Sequence, residues 1–315
     1  MPAPSHRHSL LASIALLAPA LLACPSTPYP EARVESAARA PVPSAVRPPG
    51  TQPPLTGRLR FSVAAMLSPQ DTFESYSHAF ELIAKRLGTE IEFVQRRTYR
   101  EVNDLLVAGQ VDAAMICTGG FLELERRAPG KVELLAVPIA GGATTYHSYV
   151  IVPASSRAKT LADLAGKRFA FTDELSLTGH AYAIYWLKRH GAAPDTFFGS
   201  LQLTRSHDRS IDAVARGVVD GACVDSLVFD ELARLRPELR EAIRIIDTSP
   251  PFGAPPVVAA TGVPVARRAA IRAALVNMSG DPEGAKALAA IGLQGFAVLP
   301  GSHYDGARAV MEATW

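Results

Sequence analysis

The stretch TDELSLTGH at residues 172–180 carries residue types that bind anions in proteins. A β-rich run, KRFAFT, precedes it, and a helical pattern predicted over 178–190 follows it. The first turn of a helix has unpaired N–H groups and a partial positive charge, so it stabilises an oxyanion without lysine or arginine. The hydroxyls of Ser176 and Thr178 add donors, and Gly179 lets the backbone approach closely. The alternative is that one hydroxyl only caps its own helix.

Two histidines and one carboxylate extend this hypothesis. His207 follows a strand-like run in SHDRSID, and His180 lies in the first predicted turn after Gly179. Asp225 ends the run VDGACVD. A carboxylate repels an oxyanion unless a proton lies between them, so Asp225 beside an anion would favour a monoprotonated ligand over a fully ionised one. An ammonium group on the ligand would also suit it. The alternatives are that the histidines are cap or surface residues and that Asp225 caps a helix.

Catalysis is a remote alternative for the same residues. Ser176, His207 and Asp225 have the types of a nucleophile, a base and an orienting acid, as in a serine-dependent hydrolase. The chain has no G-x-S-x-G, HExxH or Walker A pattern. The histidines do not cluster at ligand spacing, so no metal and no cofactor are predicted. The sequence therefore favours binding without chemistry.

The N-terminus has the features of an exported precursor. His6-Arg7-His8 precedes an apolar run over 10–22 that ends in LLAC, so residues 1–23 are predicted to be a signal peptide. The last four residues resemble a bacterial lipobox, in which Cys24 becomes the lipid-bearing N-terminus. The alternative is an ordinary signal peptide with an incidental cysteine. Residues 24–57 are rich in proline and lack apolar periodicity, which predicts an extended tether.

The net charge, the apolar segments and the remaining cysteines argue against several other kinds of protein and site. The formal net charge is +2, which disfavours nucleic acid as a partner. No segment after the N-terminal run is apolar over the length that a membrane span needs. Cys117 and Cys223 lie far apart in apolar runs without metal-ligand spacing, so two separate thiols are expected.

From residue 58 onward, strand-like runs of five to seven residues alternate with helical patterns. This order predicts βα units, largely parallel sheets and the α/β class. Residues 102–117 and 210–225 both read as a helix, a glycine, Val-Asp and a small-residue strand, at an offset of 108. The repeat predicts two lobes of one design, with Cys117 and Asp225 at carboxyl ends of parallel strands, where such sheets bind ligands. Asp112 and Asp220, in the Val-Asp pairs, are expected to hold the strand starts.

Two stretches are predicted to cross between the lobes. GGATTYHSYVIV at 141–152 leaves the first lobe, and DTSPPFGAPPVVA at 247–259 returns to it. Lobe 1 would then comprise 58–147 and 251–315, completed by helices near 266–277, 281–291 and 304–312. Lobe 2 would comprise 148–250. Two crossings imply a cleft and a hinge that closes it.

Several separated blocks carry a family resemblance. In order they are SPQDT, TYREVNDLLVAGQVDAA, YHSYVIV, LADLAGKRFAFTDELSLTG, SHDRSIDAVARGVVDGACVDS and SPPFGAPPVVA, and together they span about 60–315. The chain resembles the phosphate/phosphite/phosphonate-binding proteins of ABC importers, which have the type II periplasmic binding-protein fold. The resemblance implies a two-lobe α/β protein, each lobe a mostly parallel sheet flanked by helices. It also implies capture of a phosphorus oxyanion between the lobes for an ABC permease in the cytoplasmic membrane.

The resemblance also implies a set of ligand-binding positions. In the family, a turn with two or three hydroxyl residues and a glycine holds the phosphorus oxyanion; Leu177 departs from this pattern, because the family often has a hydroxyl residue there. The positions on this chain are Ser176, Leu177, Thr178, Gly179, Tyr146, Ser206, His207 and Asp225, with Ser68, Thr118, Gly119 and His180 as further candidates. The protein is expected to be a monomer, lipid-anchored at the bacterial envelope. The alternative within the same fold is a binding module that reports its ligand to a membrane signalling partner.

Overall fold

The computed structural model describes residues 57–315, and for residues 69–75 it describes the backbone alone. The predicted signal peptide, the lipidated Cys24 and nearly all of the predicted tether lie outside the described residues. The strands are β1 Leu59–Val63, β2 Ile91–Phe93, β3 Ala113–Met115, β4 Val132–Ile139, β5 Thr145–Tyr146, β6 Ser148–Pro153, β7 Arg168–Phe171, β8 Ser200–Leu203, β9 Gly221–Asp225, β10 Ile243–Thr248, β11 Phe252–Gly253, β12 Val257–Ala260 and β13 Gly295–Ala297.

The helices alternate with these strands along most of the chain. They are α1 Pro69–Arg86, α2 Tyr99–Val107, α3 Thr118–Arg127, α4 Tyr182–Arg189, α5 Pro194–Phe197, α6 His207–Ala215, α7 Ser226–Leu235, α8 Glu238–Ala242, α9 Val265–Val276, α10 Pro282–Ala289 and α11 Asp305–Glu312. Short 3₁₀ segments span Leu161–Leu164, Met278–Gly280 and Gly301–Tyr304, and a π-type turn, Leu177–Ala181, leads directly into α4. In the described part, no helix combines the length and apolar character needed to cross a membrane.

Six strands form the first sheet, in the order β13-β4-β12-β3-β1-β2. β1 pairs with β2 and β3 in parallel, whereas β12 is antiparallel to both β3 and β4, and β13 is antiparallel to β4. Four of the six strands therefore run in one direction, and β12 and β13 run in the other. β12, the strand after the second crossing, lies between β4 and β3 and runs antiparallel to both.

Five strands form the second sheet, in the order β10-β6-β9-β7-β8. β7 is parallel to β8 and β9, while β6 is antiparallel to β9 and β10. Only β6, the strand that follows the first crossing, is reversed in this sheet. Most strands of each sheet thus share one direction, and the reversed strands include the one that follows each crossing. By neighbouring pairs both sheets are mixed: the first has two parallel and three antiparallel pairs, and the second has two of each. A two-stranded ribbon, β5 with β11, joins the two crossing segments by pairing Tyr146 with Phe252.

The internal repeat appears as matched structure in the two sheets. Asp112, before β3, accepts a hydrogen bond from the backbone N–H of Arg60 at 2.9 Å and pairs with its guanidinium at 2.8 Å. Asp220, before β9, makes the same two contacts with Arg168, also at 2.9 and 2.8 Å. Each aspartate therefore holds its strand start against the neighbouring parallel strand, as the sequence predicts.

The helices begin and pack as their sequences dictate. A capping box between Thr98 and Glu101 fixes the start of α2, and its buried face packs on α3. α9 packs on β4, and α10 packs on α1, so both complete the first sheet. α11 instead contacts α3 on one side and the π-type turn and α4 on the other. It therefore packs against elements of both halves, where the ring of Phe121 meets Tyr304 at 5.0 Å.

Candidate anion-binding site

The hydroxyl-rich turn performs capping and leaves a donor free for a ligand. Ser176 is the N-cap of the π-type turn, and its Oγ accepts a hydrogen bond from the N–H of Gly179 at 2.9 Å. Thr178 is fully buried, and its Oγ1 has no hydrogen-bond partner among the described residues. The two readings of the sequence thus apply to different hydroxyls: Ser176 caps, and Thr178 remains available.

Five buried donors around this turn lack partners within the described part of the chain. They are the hydroxyls of Tyr99, Tyr146, Thr178 and Ser206 and the Nε2 of His207, all on residues at most 1% exposed. A buried polar group without a partner costs about 1–3 kcal/mol, and native proteins rarely leave several together. Such a set is explained if a polar ligand normally receives these hydrogen bonds.

Electrostatic coupling shows that several of these groups are neighbours. Burial raises the pKa of the Tyr146 phenol well above its ordinary value, and negative charge on Cys117 or Asp225 raises it further. The Thr118 and Thr178 hydroxyls lie near enough to oppose this rise, although neither is placed for a well-formed hydrogen bond with Tyr146. The pKa of Tyr99 is raised by burial and then by Cys117, Asp173, Asp225 and Tyr146. Both phenols are therefore protonated donors that face the same space.

His207 acts as a neutral donor rather than a cation. Its Nδ1 accepts the backbone N–H of Asp225 at 3.1 Å and lies 3.2 Å from the Thr172 hydroxyl. The proton is therefore assigned to Nε2, the unpartnered nitrogen. Burial lowers the pKa of His207 to about 3, so the ring is neutral at physiological pH. Arg205, two residues earlier, has a left-handed φ of 73°, a strained conformation of the kind found near binding sites.

Asp225 is a carboxyl group poised between its two protonation states. It ends β9 and caps α7, because its Oδ1 accepts the N–H groups of Leu227 at 2.7 Å and Val228 at 3.3 Å. Burial raises the pKa of Asp225 to about 7, and these two backbone donors only partly oppose the rise. The predicted capping role is therefore real. It coexists with a carboxyl that can share a proton with a ligand near neutral pH.

The opposite wall of the site is the start of α3, where the further candidates Thr118 and Gly119 lie. Cys117 is the N-cap of α3, and the Thr118 hydroxyl donates to the carbonyl of Gly253 at 2.8 Å. A Cβ added at Gly119 would lie 2.2 Å from the carbonyl oxygen of Leu175. Glycine is therefore required where the first half of the molecule meets the hydroxyl-rich turn of the second.

Three other predicted positions do not add an unpartnered buried donor. Leu177 is fully buried in an apolar cluster with Tyr182 and residues of both sheets, so its side chain serves the core. The His180 ring packs edge-on against Phe171 at 4.7 Å. Ser68 is half-buried and immediately precedes α1. None of the three side chains is among the unpartnered donors.

Gly179 fits the space between two site residues. A Cβ at this position would lie 2.4 Å from the Thr172 hydroxyl and 2.8 Å from Cε1 of His207. Its carbonyl also accepts the backbone N–H of Thr172 at 2.9 Å. Because Gly179 has no side chain, the turn packs directly on the ring of His207.

Tyr99 is the residue that the sequence analysis missed. It opens α2, and its backbone N–H donates to Asp173 across the two halves of the molecule at 3.3 Å. A signal was present, because the capping box at Thr98 and Glu101 marks a helix start after a strand, the same location as the other site residues. Asp173 was also passed over; it is buried and accepts the N–H of Leu175 at 2.9 Å.

The contacts of Ser176, His207 and Asp225 do not form a catalytic triad. Nδ1 of His207 contacts the backbone N–H of Asp225, whereas a triad needs the carboxylate there. The Ser176 hydroxyl accepts from Gly179. Within residues 57–315, no three His, Cys, Asp or Glu side chains come together to hold a metal ion. The arrangement is suited to holding an anion.

The donors of the site are neutral. The buried polar and charged residues of the described chain include no lysine or arginine. A cavity of about 810 Å³ adjoins the donors and is lined in part by Tyr146 and Asp225. Tyr76 and Tyr149 also line it. The site therefore consists of a tight polar cradle beside a roomier chamber.

The two mixed sheets, the paired crossings and the buried polar cradle between them define a two-lobe solute-binding protein. The family model of the periplasmic substrate-binding protein of phosphonate ABC transporters matches residues 61–304. The chain belongs to this family, whose members bind substrates for transport and are not enzymes. The family resemblance and the prediction of a non-enzymatic binding protein are thus confirmed.

Individual relatives agree with this assignment. The chain is similar to the phosphate-import protein PhnD of Mycolicibacterium smegmatis, with 31% identity over 169 residues that cover 50% of this chain and 52% of that protein. The match therefore spans about half the length of this curated relative.

Solved structures confirm the fold. A binding-protein component of a phosphonate ABC transporter from Pseudomonas aeruginosa superposes with a TM-score of 0.73 at 20% identity, covering 78% of this chain and 83% of that one. PhnD1 from Prochlorococcus marinus, in complex with methylphosphonate, gives 0.71 at 16% identity, covering 81% and 97%. The predicted type II periplasmic binding-protein fold is confirmed.

Proposed function

We propose that this protein captures a small phosphorus oxyanion (phosphate, phosphite or a phosphonate) in the cleft and presents it to an ABC importer. The observation that carries the proposal is the set of five buried donors without partners. Their residues come from both halves of the molecule and surround a carboxyl of raised pKa. Neutral donors in a desolvated site stabilise an anion strongly, because charge-assisted hydrogen bonds are about twice as strong as neutral ones.

The proposed ligand contacts follow from burial and available donors. Tyr99, Tyr146, Thr178, Ser206 and His207 would donate to the oxygens of the ligand. Thr118, Gly119, Ser176, Leu177 and Gly179 would shape the walls or supply backbone groups, and Asp225 would accept a proton from the ligand. His180 and Ser68 are not included, because the His180 ring packs against Phe171 and Ser68 is only half-buried.

Asp225 supports a phosphorus oxyanion rather than sulfate. Near neutral pH a phosphate, phosphite or phosphonate carries or readily gains a proton, and its O–H can donate to the Asp225 carboxylate. Sulfate has no proton to donate, so its charge would lie unrelieved against the carboxylate. A carboxyl with a pKa of about 7 also lets the proton lie on either partner.

The adjoining chamber admits a substituent on phosphorus. Its volume of about 810 Å³ exceeds what a single tetrahedral anion fills, and it shares Tyr146 and Asp225 with the cradle. An alkylphosphonate would therefore place its oxygens on the donors and its organic group in the chamber. Among the relatives, one is named for phosphate import and another is a complex with methylphosphonate. Both chemistries fit the geometry of this site.

We further propose that the mature protein is a lipid-anchored monomer. Cys24 would carry the lipid and the Pro-rich segment 24–57 would form the tether, both argued from sequence. The described domain begins with β1 at Leu59, directly after this segment. Such an anchor would hold the receptor close to its ABC permease in the cytoplasmic membrane. The proposed division into lobe 1 (58–147 and 251–315) and lobe 2 (148–250) supplies the cleft.

Titration calorimetry on ligand-stripped full-length protein carrying Cys24→Ser tests the ligand class. The panel is phosphate, phosphite, methylphosphonate, 2-aminoethylphosphonate and sulfate. We expect one phosphorus oxyanion to bind, and Thr178→Val, which removes an unpartnered hydroxyl at nearly constant volume, to weaken it by at least tenfold. Thr261→Val is the matched control, since its hydroxyl donates to Gly130 at the surface. Silence across the panel, or tighter binding of sulfate, would overturn the proposal.

A further inference from the structure

Cys117 occupies an unusual position for a structural cysteine. It is the N-cap of the ten-residue helix α3, and its Sγ lies 3.9 Å from the carbonyl oxygen of Leu175. Backbone N–H groups of Gly119, Gly120 and Leu177 point toward the sulfur. The first two belong to α3 and the third to the hydroxyl-rich turn on the other side of the cleft. The thiol therefore lies where N-terminal N–H groups from both halves of the molecule converge.

The same sulfur faces the ligand space. The phenol hydroxyls of Tyr99 and Tyr146 are unpartnered on fully buried residues, and after burial itself Cys117 is the group that most raises the pKa of each phenol. These two hydroxyls independently indicate that a polar ligand occupies the volume next to the thiol. Cys223, by comparison, lies inside β9 in the core of the second sheet. The two thiols thus have different surroundings, although both are buried and free.

Contacts between the two halves close the way to Cys117, among them the hydrogen bond from Tyr99 to Asp173 and the approach of Gly119 to Leu175. Gly119 packs against the backbone of Leu175 and Leu177 so closely that no Cβ fits between them. The cradle donors are fully buried, so a ligand enters only when these contacts separate. Separation would also uncover Cys117 at a helix N-terminus, a location that favours the thiolate. In the closed form burial instead raises the pKa of Cys117 to about 11 and keeps the thiol unreactive.

We propose that Cys117 is a ligand-gated modification site, open to thiol-reactive small molecules such as low-molecular-weight disulfides only while the cleft is open. In that reaction the thiolate attacks one sulfur of the disulfide, forms a mixed disulfide and releases the other half as a thiolate. The adduct would occupy the space between Cys117 and Leu175 and prevent closure. The proposal rests on the proposed function, in that the oxyanion is the ligand that closes the cleft.

Site-resolved alkylation tests this inference. Full-length protein with Cys24→Ser is treated with iodoacetamide, whose iodide is displaced by the thiolate, and peptide mapping follows Cys117 and Cys223 separately. We expect Cys117 to react faster than Cys223 in ligand-free protein. The oxyanion identified by calorimetry, at 100 times its Kd, should slow Cys117 about 100-fold, because only unliganded protein opens. The Cys223 rate should not change.

A second arm does not depend on the ligand. Gly119→Ala places a Cβ against the Leu175 carbonyl, so closure is obstructed and Cys117 should alkylate faster than in the parent protein, with Cys223 unchanged as evidence of intact folding. If Gly119→Ala fails to fold, the ratio of the Cys117 rate to the Cys223 rate in the ligand-free parent protein replaces it, and a ratio of one or below would overturn the gated thiol. Oxyanion binding that leaves the Cys117 rate unaltered would overturn the gated thiol while the proposed function stands. If calorimetry detected no binding to any anion of the panel, the proposed function would be wrong. The alkylation rates would still decide whether closure of the cleft protects Cys117.

Discussion

Two buried tyrosines allow the ligand hypothesis to be tested with one chemical change. Tyr146 and Tyr304 are both at most 1% exposed. The Tyr304 hydroxyl donates to the carbonyl of Ala254 at 2.9 Å, whereas the Tyr146 hydroxyl has no partner in the described chain. Replacing either by phenylalanine removes one oxygen atom. The two substitutions should therefore differ in effect. Tyr146→Phe should change ligand binding, whereas Tyr304→Phe should change the stability of the fold, since only the Tyr304 hydroxyl has an internal hydrogen bond to lose.

Tyr146→Phe should weaken the ligand and spare the fold. A hydrogen bond to a charged group contributes about 1.5–3 kcal/mol, so the Kd for the phosphorus oxyanion should rise roughly 10- to 150-fold. The melting temperature of the ligand-free protein should stay the same or rise, since no internal hydrogen bond is lost. Tyr304→Phe leaves the Ala254 carbonyl unsatisfied at a cost of about 1–3 kcal/mol, and each kcal/mol lowers the Tm by about 2–4 °C at this size.

Calorimetric titration and thermal unfolding of the two variants provide the readouts. We expect Tyr146→Phe to change affinity without loss of Tm, and Tyr304→Phe to change Tm with an unaltered Kd. If Tyr146→Phe bound the oxyanion as tightly as the parent protein, the unpartnered hydroxyl would not be a ligand donor. If Tyr304→Phe weakened binding equally, the effect would be one of packing, and the reasoning from unpartnered atoms would be wrong.

Further predictions concern charge, tautomer, packing and anchoring. Because the folded pKa of Asp225 is raised to about 7, the ligand-free fold holds a proton that the unfolded chain releases near pH 4; stability should therefore fall between about pH 4 and pH 7. In urea unfolding, Asp225→Asn should flatten this slope, and in calorimetry it should reduce discrimination against sulfate. NMR should find His207 protonated at Nε2 and show no titration near pH 6.5, since burial lowers its pKa to about 3; a transition near 6.5 would contradict this. Gly179→Ala should displace His207 and weaken oxyanion binding at least tenfold in calorimetry, because its Cβ would lie 2.8 Å from Cε1 of that ring; wild-type affinity would refute the packing argument. Cys24→Ala should abolish incorporation of labelled palmitate into the protein in cells, and label retained by the variant would contradict Cys24 as the site of the lipid.

The spacing of apolar residues and the positions of glycine and proline allowed most of the fold to be predicted. The alternation of strands and helices gave the α/β class, and the repeated Val-Asp pairs correctly located Asp112 and Asp220 at matched strand starts. The helices predicted near 266–277 and 304–312 agree with Val265–Val276 and Asp305–Glu312 to within a residue. These features depend on local spacing, and local spacing is what a single sequence reports.

The parts that were missed depend on contacts between distant segments. The helix α3 begins Thr118-Gly119-Gly120, and two glycines argue against a helix by propensity. Here one glycine is needed for the approach of Leu175, and the side chain of Asn103 donates to the carbonyl of Gly120 at 2.9 Å. Tertiary contact therefore overrides propensity at this helix.

A single sequence also cannot divide roles between neighbouring hydroxyls. Ser176 and Thr178 are both acceptable caps by residue type. The structure assigns capping to Ser176, whose Oγ accepts from Gly179, and leaves Thr178 unpartnered. The distinction depends on side-chain rotamers and on how deeply each hydroxyl is buried, neither of which spacing reveals.

The division of donors between the two halves makes binding and closure one event. Tyr99 projects from α2 beside the first sheet, whereas Thr178 and His207 belong to the second half. An open cleft lets water satisfy each group, and a closed empty cleft leaves several of them buried without partners, at about 1–3 kcal/mol each. The closed form is therefore disfavoured without an anion and favoured with one. Since the donors are neutral and the site is desolvated, salt should screen their hydrogen bonds to the anion only weakly, and release requires that the two halves separate.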